Sequence, residues 1–209
     1  VEKRWVGPAS VEEVTVKLFA NDEDTGKTLT LKKSENWKGK FTNLDKYKDG
    51  KKIVYTIKEV KVDGYDSKVE GSAENGFVIT NKNVAKTKIP VEKKWEDNNN
   101  QDGKRVKEII VKLVKNDVPT DKTIKLNEQN NWKGEFTDLD KYDAQGNEIK
   151  YTVKEETVID GYNTEIVAGH VDGVAGFIIK NKHNVEKTEI PVEKRWVGPA
   201  SVEEVTVKL

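Results

Sequence analysis

Residues 89 to 95 read IPVEKKW, and the phrase returns as IPVEKRW at 190 to 196 and as VEKRW at 1 to 5. Self-similarity has to be settled first in any sequence, because it separates one large domain from several small ones in line. Trp5, Trp95 and Trp196 are spaced by 90 and 101 residues, and Val192 to Leu209 repeats Val1 to Leu18 residue for residue. A unit of 191 residues therefore starts again before the sequence ends. Within that unit NWKGKFTNLDKYKDGKKIVYTIKEVKVDGY, from Asn36 to Tyr65, matches NWKGEFTDLDKYDAQGNEIKYTVKEETVIDGY, from Asn131 to Tyr162. This pattern predicts one domain over 1–86, a second over 87–188, and over 189–209 the first two strands of a truncated third.

Lys plus Arg equals Asp plus Glu at 37 each, which argues against nucleic acid or an acidic membrane surface as partner, since both select a basic face. The chain is 35% charged and 34% hydrophobic, but its apolar residues alternate, which points to small domains with thin cores rather than disorder. No apolar run approaches membrane-spanning length, and neither a signal peptide nor a sorting tail is present, which reads as an interior piece of a longer protein. There is no cysteine, so the disulfides that usually staple small secreted domains must have a substitute.

Alternation then gives the strands. Val1, Lys3 and Trp5 share one face of the first, so a lysine points where the tryptophan points. Ser10 and Glu13 have capping-box spacing, but Val14, Val16 and Leu18 alternate with Thr15 and Lys17, which decides for a strand over a helix. Leu29 and Leu31 mark another strand, and Trp37, Gly39 and Phe41 a third. Ile53, Tyr55, Ile57 and Glu59 share a face of the next, so an acid also points inward. Gly64-Tyr65 opens a short edge strand, and Phe77, Ile79 and Asn81 bring an amide inward on the last. The second domain repeats the order through Lys93 and Trp95, Val111 and Leu113, Trp132 and Phe136, Tyr151 and Glu155, to Phe177, Ile179 and Asn181. Seven or so short strands per domain, with no helical period, indicate an all-β antiparallel sandwich. The joins at Val84 to Pro90 and Val185 to Pro191 end in Ile-Pro and read as semi-rigid.

Each domain thus sets one lysine, one glutamate and one asparagine on the apolar faces of three strands. Burying a lone charge costs several kcal/mol or forces neutralisation. A lysine in an apolar core gives up its proton and becomes a nucleophile, and a buried carboxyl can polarise an amide carbonyl and relay protons. The amine then attacks the side-chain amide, ammonia leaves, and a Lys-Asn isopeptide bond remains. Taken singly, a strand lysine is normally solvated, a strand glutamate a surface acid and an asparagine a turn residue. The repeats select among neighbours: Arg4, Lys94 and Arg195 vary where Lys3, Lys93 and Lys194 do not, Glu156 matches Val60, and Asn83 matches His183. One constellation fitting twice outweighs the ordinary reading of each residue.

The phrases KKWEDNNNQDGKR, LNEQNNWKGEFTDLDKYDAQGNEIKYTVKEE, DGY and GFIIKNKH resemble the Cna B-type (collagen-adhesin B-repeat) domains of Gram-positive cell-wall-anchored surface proteins, over almost all of both domains. The resemblance implies seven-stranded immunoglobulin-like sandwiches of transthyretin (prealbumin) type, with a self-formed isopeptide between first and last strands promoted by a glutamate on a middle strand. Carried over by motif, Lys3, Glu59 and Asn81 are that set in the first domain and Lys93, Glu155 and Asn181 in the second. The first domain departs from the pattern after its tryptophan, reading VGPAS where the second reads EDNNNQDGKR.

Other constellations are weaker. Asp97, Asn99, Gln101 and Glu108 have the outline of a calcium loop, but Gly103 stands seventh where an EF-hand needs glycine sixth, so the stretch reads as a polar connection with calcium as the alternative. His170 and His183 lie outside metal spacing and read as exposed. No cofactor or metal is expected.

These residues and the resemblance together imply a structural stalk segment of an extracellular, cell-wall-bound bacterial adhesin, with neighbouring repeats as partners and the host ligand bound by another domain. The alternative is a module that itself grips a host matrix protein. An enzyme with turnover fits poorly, because the triad is consumed in making its own bond. Val192 to Leu209 carries Lys194 without a matching glutamate or asparagine, so that lysine is expected to stay unbonded within one chain, and the segment can swap into the first domain of a neighbour.

Overall fold

The computed structural model of the chain describes residues 1–199 and 202–208. Up to Lys182 its regular structure is strand, apart from two single turns of 3-10 helix. The first domain contains β1 (Glu2–Val6), β2 (Glu13–Ala20), β3 (Glu23–Lys32), β4 (Tyr47–Lys48), β5 (Lys51–Lys52), β6 (Tyr55–Glu59), β7 (Tyr65–Ser72) and β8 (Gly76–Asn83). Its two sheets run β1-β8-β7 and β3-β2-β6, with β4 and β5 forming a small hairpin. The second domain contains β9 (Lys86–Glu96), β10 (Glu108–Lys115), β11 (Val118–Asn127), β12 (Lys133–Asp140), β13 (Tyr151–Glu155), β14 (Asn163–Val171) and β15 (Val174–Lys182), in sheets β12-β9-β15-β14 and β11-β10-β13. These are tandem immunoglobulin-like sandwiches.

Period-two patterning builds both cores. On β2, Val14, Val16 and Leu18 are buried while Glu13 and Lys17 face out, and Ile109, Val111 and Leu113 do the same on β10. Asn21-Asp22 and Asn116-Asp117, all with positive φ, supply the two-residue turns that fold β2 onto β3 and β10 onto β11.

Most pairing is antiparallel, as sequential strands joined by short turns must be, but β1 runs parallel to β8 and β9 parallel to β15. The first and last strands of each domain are therefore neighbours pointing the same way. The chain enters at one end of this pair and leaves at the other, so the pair spans each domain from entry to exit.

The structure corrects several expectations. Trp37 to Phe41 is no strand: Lys38 makes one isolated bridge to Glu2, flanked by backbone hydrogen bonds to Val1 and Lys3. Its counterpart β12 is a full strand because four of its six partners lie in Lys86 to Pro90, which pair with Asp140 to Glu135. The first join is thus the opening half of β9 and not a separate linker. Ile53 lies before β6, which starts at Tyr55, and β7 is an edge strand but eight residues long. Beyond Lys182 no strand occurs among the described residues. Those of 189–199 and 202–208 are exposed, as an apolar-alternating segment without partner strands must be. Of the segment expected to open a third domain, Ala200, Ser201 and Leu209 lie outside the described residues.

Candidate isopeptide site

Lys3 and Trp5 face inward from β1, and the parallel register sets Lys3 opposite Ile79 and Trp5 opposite Asn81. An unusual backbone fixes this strand. Asn36 and Trp37 both adopt left-handed φ, at 53° and 58°, which is a strained state for a bulky residue. It turns the Trp37 carbonyl to accept from the Lys3 amide at 2.9 Å. Asn131 and Trp132 repeat it at 54° and 58°, with the Trp132 carbonyl 2.8 Å from the Lys93 amide. Trp5 packs edge-on against Trp37 and Tyr65, and Trp95 against Trp132 and Tyr162. Each lysine ammonium lies over the central ring of its cluster, its Nζ 4.5 Å from the Trp5 ring centre in one domain and 4.4 Å from that of Trp95 in the other.

The glutamate arrives from the opposite sheet, where β6 places Glu59 across from Val16 and β13 places Glu155 across from Val111. Lys3 Nζ lies 3.0 Å from Glu59 Oε1, with both side chains at most 2% exposed. That contact has ion-pair distance without hydrogen-bond alignment, and Lys3 Nζ, Glu59 Oε1 and both amide atoms of Asn81 are buried without hydrogen-bond partners. In the second domain Lys93 Nζ is 3.5 Å from Glu155 Oε1, and the same oxygen accepts from Asn181 Nδ2 at 3.2 Å. Asn181 Oδ1 and Lys93 Nζ have no hydrogen-bond partner. The structure thus buries the side chains of all six residues expected from the sequence, with lysine and glutamate in contact in both domains and the asparagine in contact with the glutamate in the second.

So many unpartnered polar atoms in two small cores require a reason, since buried groups are otherwise satisfied almost without exception. Burial pushes the Lys3 ammonium below its usual range, with the Glu59 carboxylate pulling the other way. Burial lowers Lys93 to about 8, again against the pull of Glu155. Each site therefore holds an amine whose burial favours its neutral form, a carboxyl beside it, and an amide whose carbonyl oxygen has no partner. Such a set can form an amide between lysine and asparagine with loss of ammonia.

Two contacts escaped the sequence reading. Ser67 Oγ donates to Glu59 Oε2 at 2.9 Å and Thr164 Oγ1 donates to Glu155 Oε2 at 3.2 Å. The signal was present, since each hydroxyl follows the DGY tyrosine by two residues in its own domain.

His183 is buried, contrary to the expectation of an exposed residue. Its Nδ1 lies 2.6 Å from the Gly161 carbonyl and its Nε2 2.9 Å from Asp102 Oδ2. Both partners accept, so the imidazolium is the form that satisfies both. The Gly161 and Asp102 contacts hold its pKa above the ordinary value. Asp97 is also buried, and its carboxylate takes Arg105 Nε at 2.9 Å, Arg105 Nη2 at 2.5 Å and the Tyr162 hydroxyl at 2.8 Å. The Arg105 guanidinium brings Asp97 to about 2. The stretch read as a polar connection is an ion-paired loop. Lys194 stands outside both sites, exposed, with Nζ 4.6 Å from the Trp196 ring centre. Among the described residues no helix is long and apolar enough to cross a membrane.

Two sandwiches in tandem, each with a polar triad buried between its first, middle and last strands, define a class of β repeat module. The chain belongs to the Cna protein B-type domain family, whose model matches residues 1–82 and 89–182. It is 44% identical over 188 residues to the collagen adhesin of Staphylococcus aureus, a match covering 88% of this chain and 15% of that protein. Among solved structures it is similar to a single B repeat unit (B1) of the collagen binding surface protein of Staphylococcus aureus, with 40% identity, TM-score 0.43, and coverage of 88% of this chain and 96% of that one. A structure of two such units (B1B2) matches at 41% identity, TM-score 0.43, covering 88% of this chain and 48% of that one.

Proposed function

We propose that this chain is a stalk segment of a bacterial cell-surface adhesin, extracellular and attached to the cell wall, whose two domains are locked by self-formed Lys3-Asn81 and Lys93-Asn181 bonds. The domains divide at residue 86, where β9 begins, the second reaching to 188, and 189–209 opens the next repeat. The observation that carries this reading is the pair of buried triads, whose unpartnered amine, carboxyl and amide atoms become ordinary buried groups once the amide forms. Membership in the Cna B-type family supports it.

The reaction starts with the one proton shared by lysine and glutamate on the carboxyl oxygen Oε1, leaving Nζ as a free amine. Nζ attacks Cγ of the asparagine, and the Nζ–Cγ bond forms. The proton on Oε1 passes to Nδ2, the Cγ–Nδ2 bond breaks, and ammonia leaves. The attacking nitrogen returns one proton to the carboxyl, so the glutamate ends as it began while lysine and asparagine are consumed. Glu59 and Glu155 promote the step in their own domains.

The parallel pairing of first and last strands explains what the bond is for. Tension between entry and exit shears β1 against β8 and β9 against β15, and a covalent bridge carries that load so that the strands between cannot be unzipped. Neighbouring repeats are the partners in this arrangement, and the host ligand belongs to another part of the protein. In the isolated chain Val192 to Leu209 is a spare copy of the first strands, able to exchange into the first domain of a second molecule and bring Lys194 to Glu59 and Asn81.

Single-molecule stretching tests the load path. The account predicts that residues between Lys3 and Asn81 and between Lys93 and Asn181 never add to the extended length, and that Lys3→Ala with Lys93→Ala releases both loops. Full extension of the unsubstituted chain would contradict it.

A further inference from the structure

The antiparallel register sets Ser67 on β7 directly opposite Asn81 on β8, and Thr164 on β14 directly opposite Asn181 on β15. Residues directly opposite share a face, so each hydroxyl lies on the same face of its sheet as the amide beside it, at the solvent-exposed edge of the buried site. There it meets the glutamate coming from the other sheet. Ser67 takes Oε2 of Glu59 and Thr164 takes Oε2 of Glu155, while in both domains Oε1 is the oxygen nearest the lysine. Flanking residues differ, Asp66 and Lys68 in one domain against Asn163 and Glu165 in the other, yet the hydroxyl and its acceptor atom are the same.

We propose that Ser67 and Thr164 are positioning residues for the cross-linking reaction, acting through Glu59 and Glu155. The inference rests on the isopeptide reading above and names what aims its carboxyl. A glutamate side chain has free rotation about its last bond, and either oxygen could face the amine. A hydroxyl donating to Oε2 stops that rotation. It leaves Oε1 as the oxygen that carries the transferable proton between Nζ and Nδ2, and it occupies Oε2 with a donor so that the proton has one place to sit. A misplaced catalytic group costs up to about a hundredfold in rate, so losing this hydrogen bond should slow amide formation without preventing folding.

The test follows ammonia loss in each domain of the full chain against time, by mass measurement of proteolytic fragments. Ser67→Ala is expected to slow bond formation in the first domain by at least about tenfold and leave the second at its normal rate. Thr164→Val should do the reverse. The conservative exchanges Ser67→Thr and Thr164→Ser should restore the rate, which a purely steric role would not do. As a check on fold, Ser67→Ala added to Glu59→Ala should leave the melting temperature where Glu59→Ala alone puts it. If the unsubstituted chain loses two ammonias and Ser67→Ala loses its own just as fast, the hydroxyl role is overturned and the cross-link stands. If the unsubstituted chain loses none, both fall together.

Discussion

Glu155 Oε1 lies 3.5 Å from Lys93 Nζ and accepts from the amide of Asn181 at 3.2 Å, so a single carboxyl oxygen touches both the amine and the group it would displace. The carboxyl reaches that position from the far sheet and is only 3% exposed. Its other oxygen, Oε2, accepts from Thr164 Oγ1 at 3.2 Å, which leaves Oε1 to the amine and the amide.

Glu155→Ala should therefore abolish ammonia loss in the second domain alone, and Glu59→Ala in the first alone, while both sandwiches fold. A Lys3-Asn81 bond would close the long loop from residue 3 to residue 81, and by analogy with disulfides its absence should cost on the order of 4 kcal/mol of stability. Circular dichroism with fragment masses checks both parts. A Glu59→Ala chain that still lost both ammonias would remove Glu59 from the mechanism.

The Lys93 pKa of about 8 gives the pH dependence a sign. The reactive state needs the lysine proton moved onto Glu155 Oε1, so Lys93 must still bring that proton to the site. Below about 8 that proton is present, and above it the pair loses it and the carboxyl has nothing to hand to the leaving group. Bond formation in the second domain should hold its rate just below pH 8 and fall as pH rises through that value. A rate that climbs through pH 8 would show the carboxylate acting as a base alone.

Much of this was legible beforehand because internal repetition acted as a control. Arg4 against Lys94 and Arg195 marked the outward face, and the period-two pattern put Lys3, Glu59 and Asn81 inward. What escaped depended on register between distant strands. The pairing of Lys86 with Asp140, which makes β12 a strand and leaves Trp37 to Phe41 without one, cannot be seen in local alternation. Nor can the burial of His183, whose partners Asp102 and Gly161 lie far away in sequence. Ser67 looked like any strand serine until β7 was placed against β8.

His183 makes the end of the second domain sensitive to pH in a way the first is not, since Asn83 stands at the matching place. The groups facing it are the Asp102 carboxylate, the Gly161 carbonyl, the Tyr162 ring and the Lys104 ammonium. Asp102 also accepts from the Glu186 amide, so the histidine helps hold the exit segment. Because the folded-state pKa of His183 is raised, its contribution is fully present below the ordinary value of 6.5 and is lost as pH rises through the raised one. Melting temperature of the second domain should fall across that window, and His183→Asn should flatten the dependence. An unchanged slope in His183→Asn would remove the histidine as its cause.

Exchange of Val192 to Leu209 should be strongest where the first domain cannot close its own bond. Lys3→Ala leaves Glu59 and Asn81 without an amine, and Lys194 of a second molecule can supply it. Denaturing gels of Lys3→Ala should show a ladder of covalent multimers that Lys194→Ala abolishes. A single monomer band would rule out covalent exchange.

The central claim is that two lysines and two asparagines have become two amides, and the intact mass of the denatured chain addresses it without any assumption about force, ligand or neighbour. The account predicts a mass below that of the sequence by two molecules of ammonia, falling short by one in either Asn81→Ala or Asn181→Ala and by none when both are replaced. A native chain at the full mass of its sequence would contradict it.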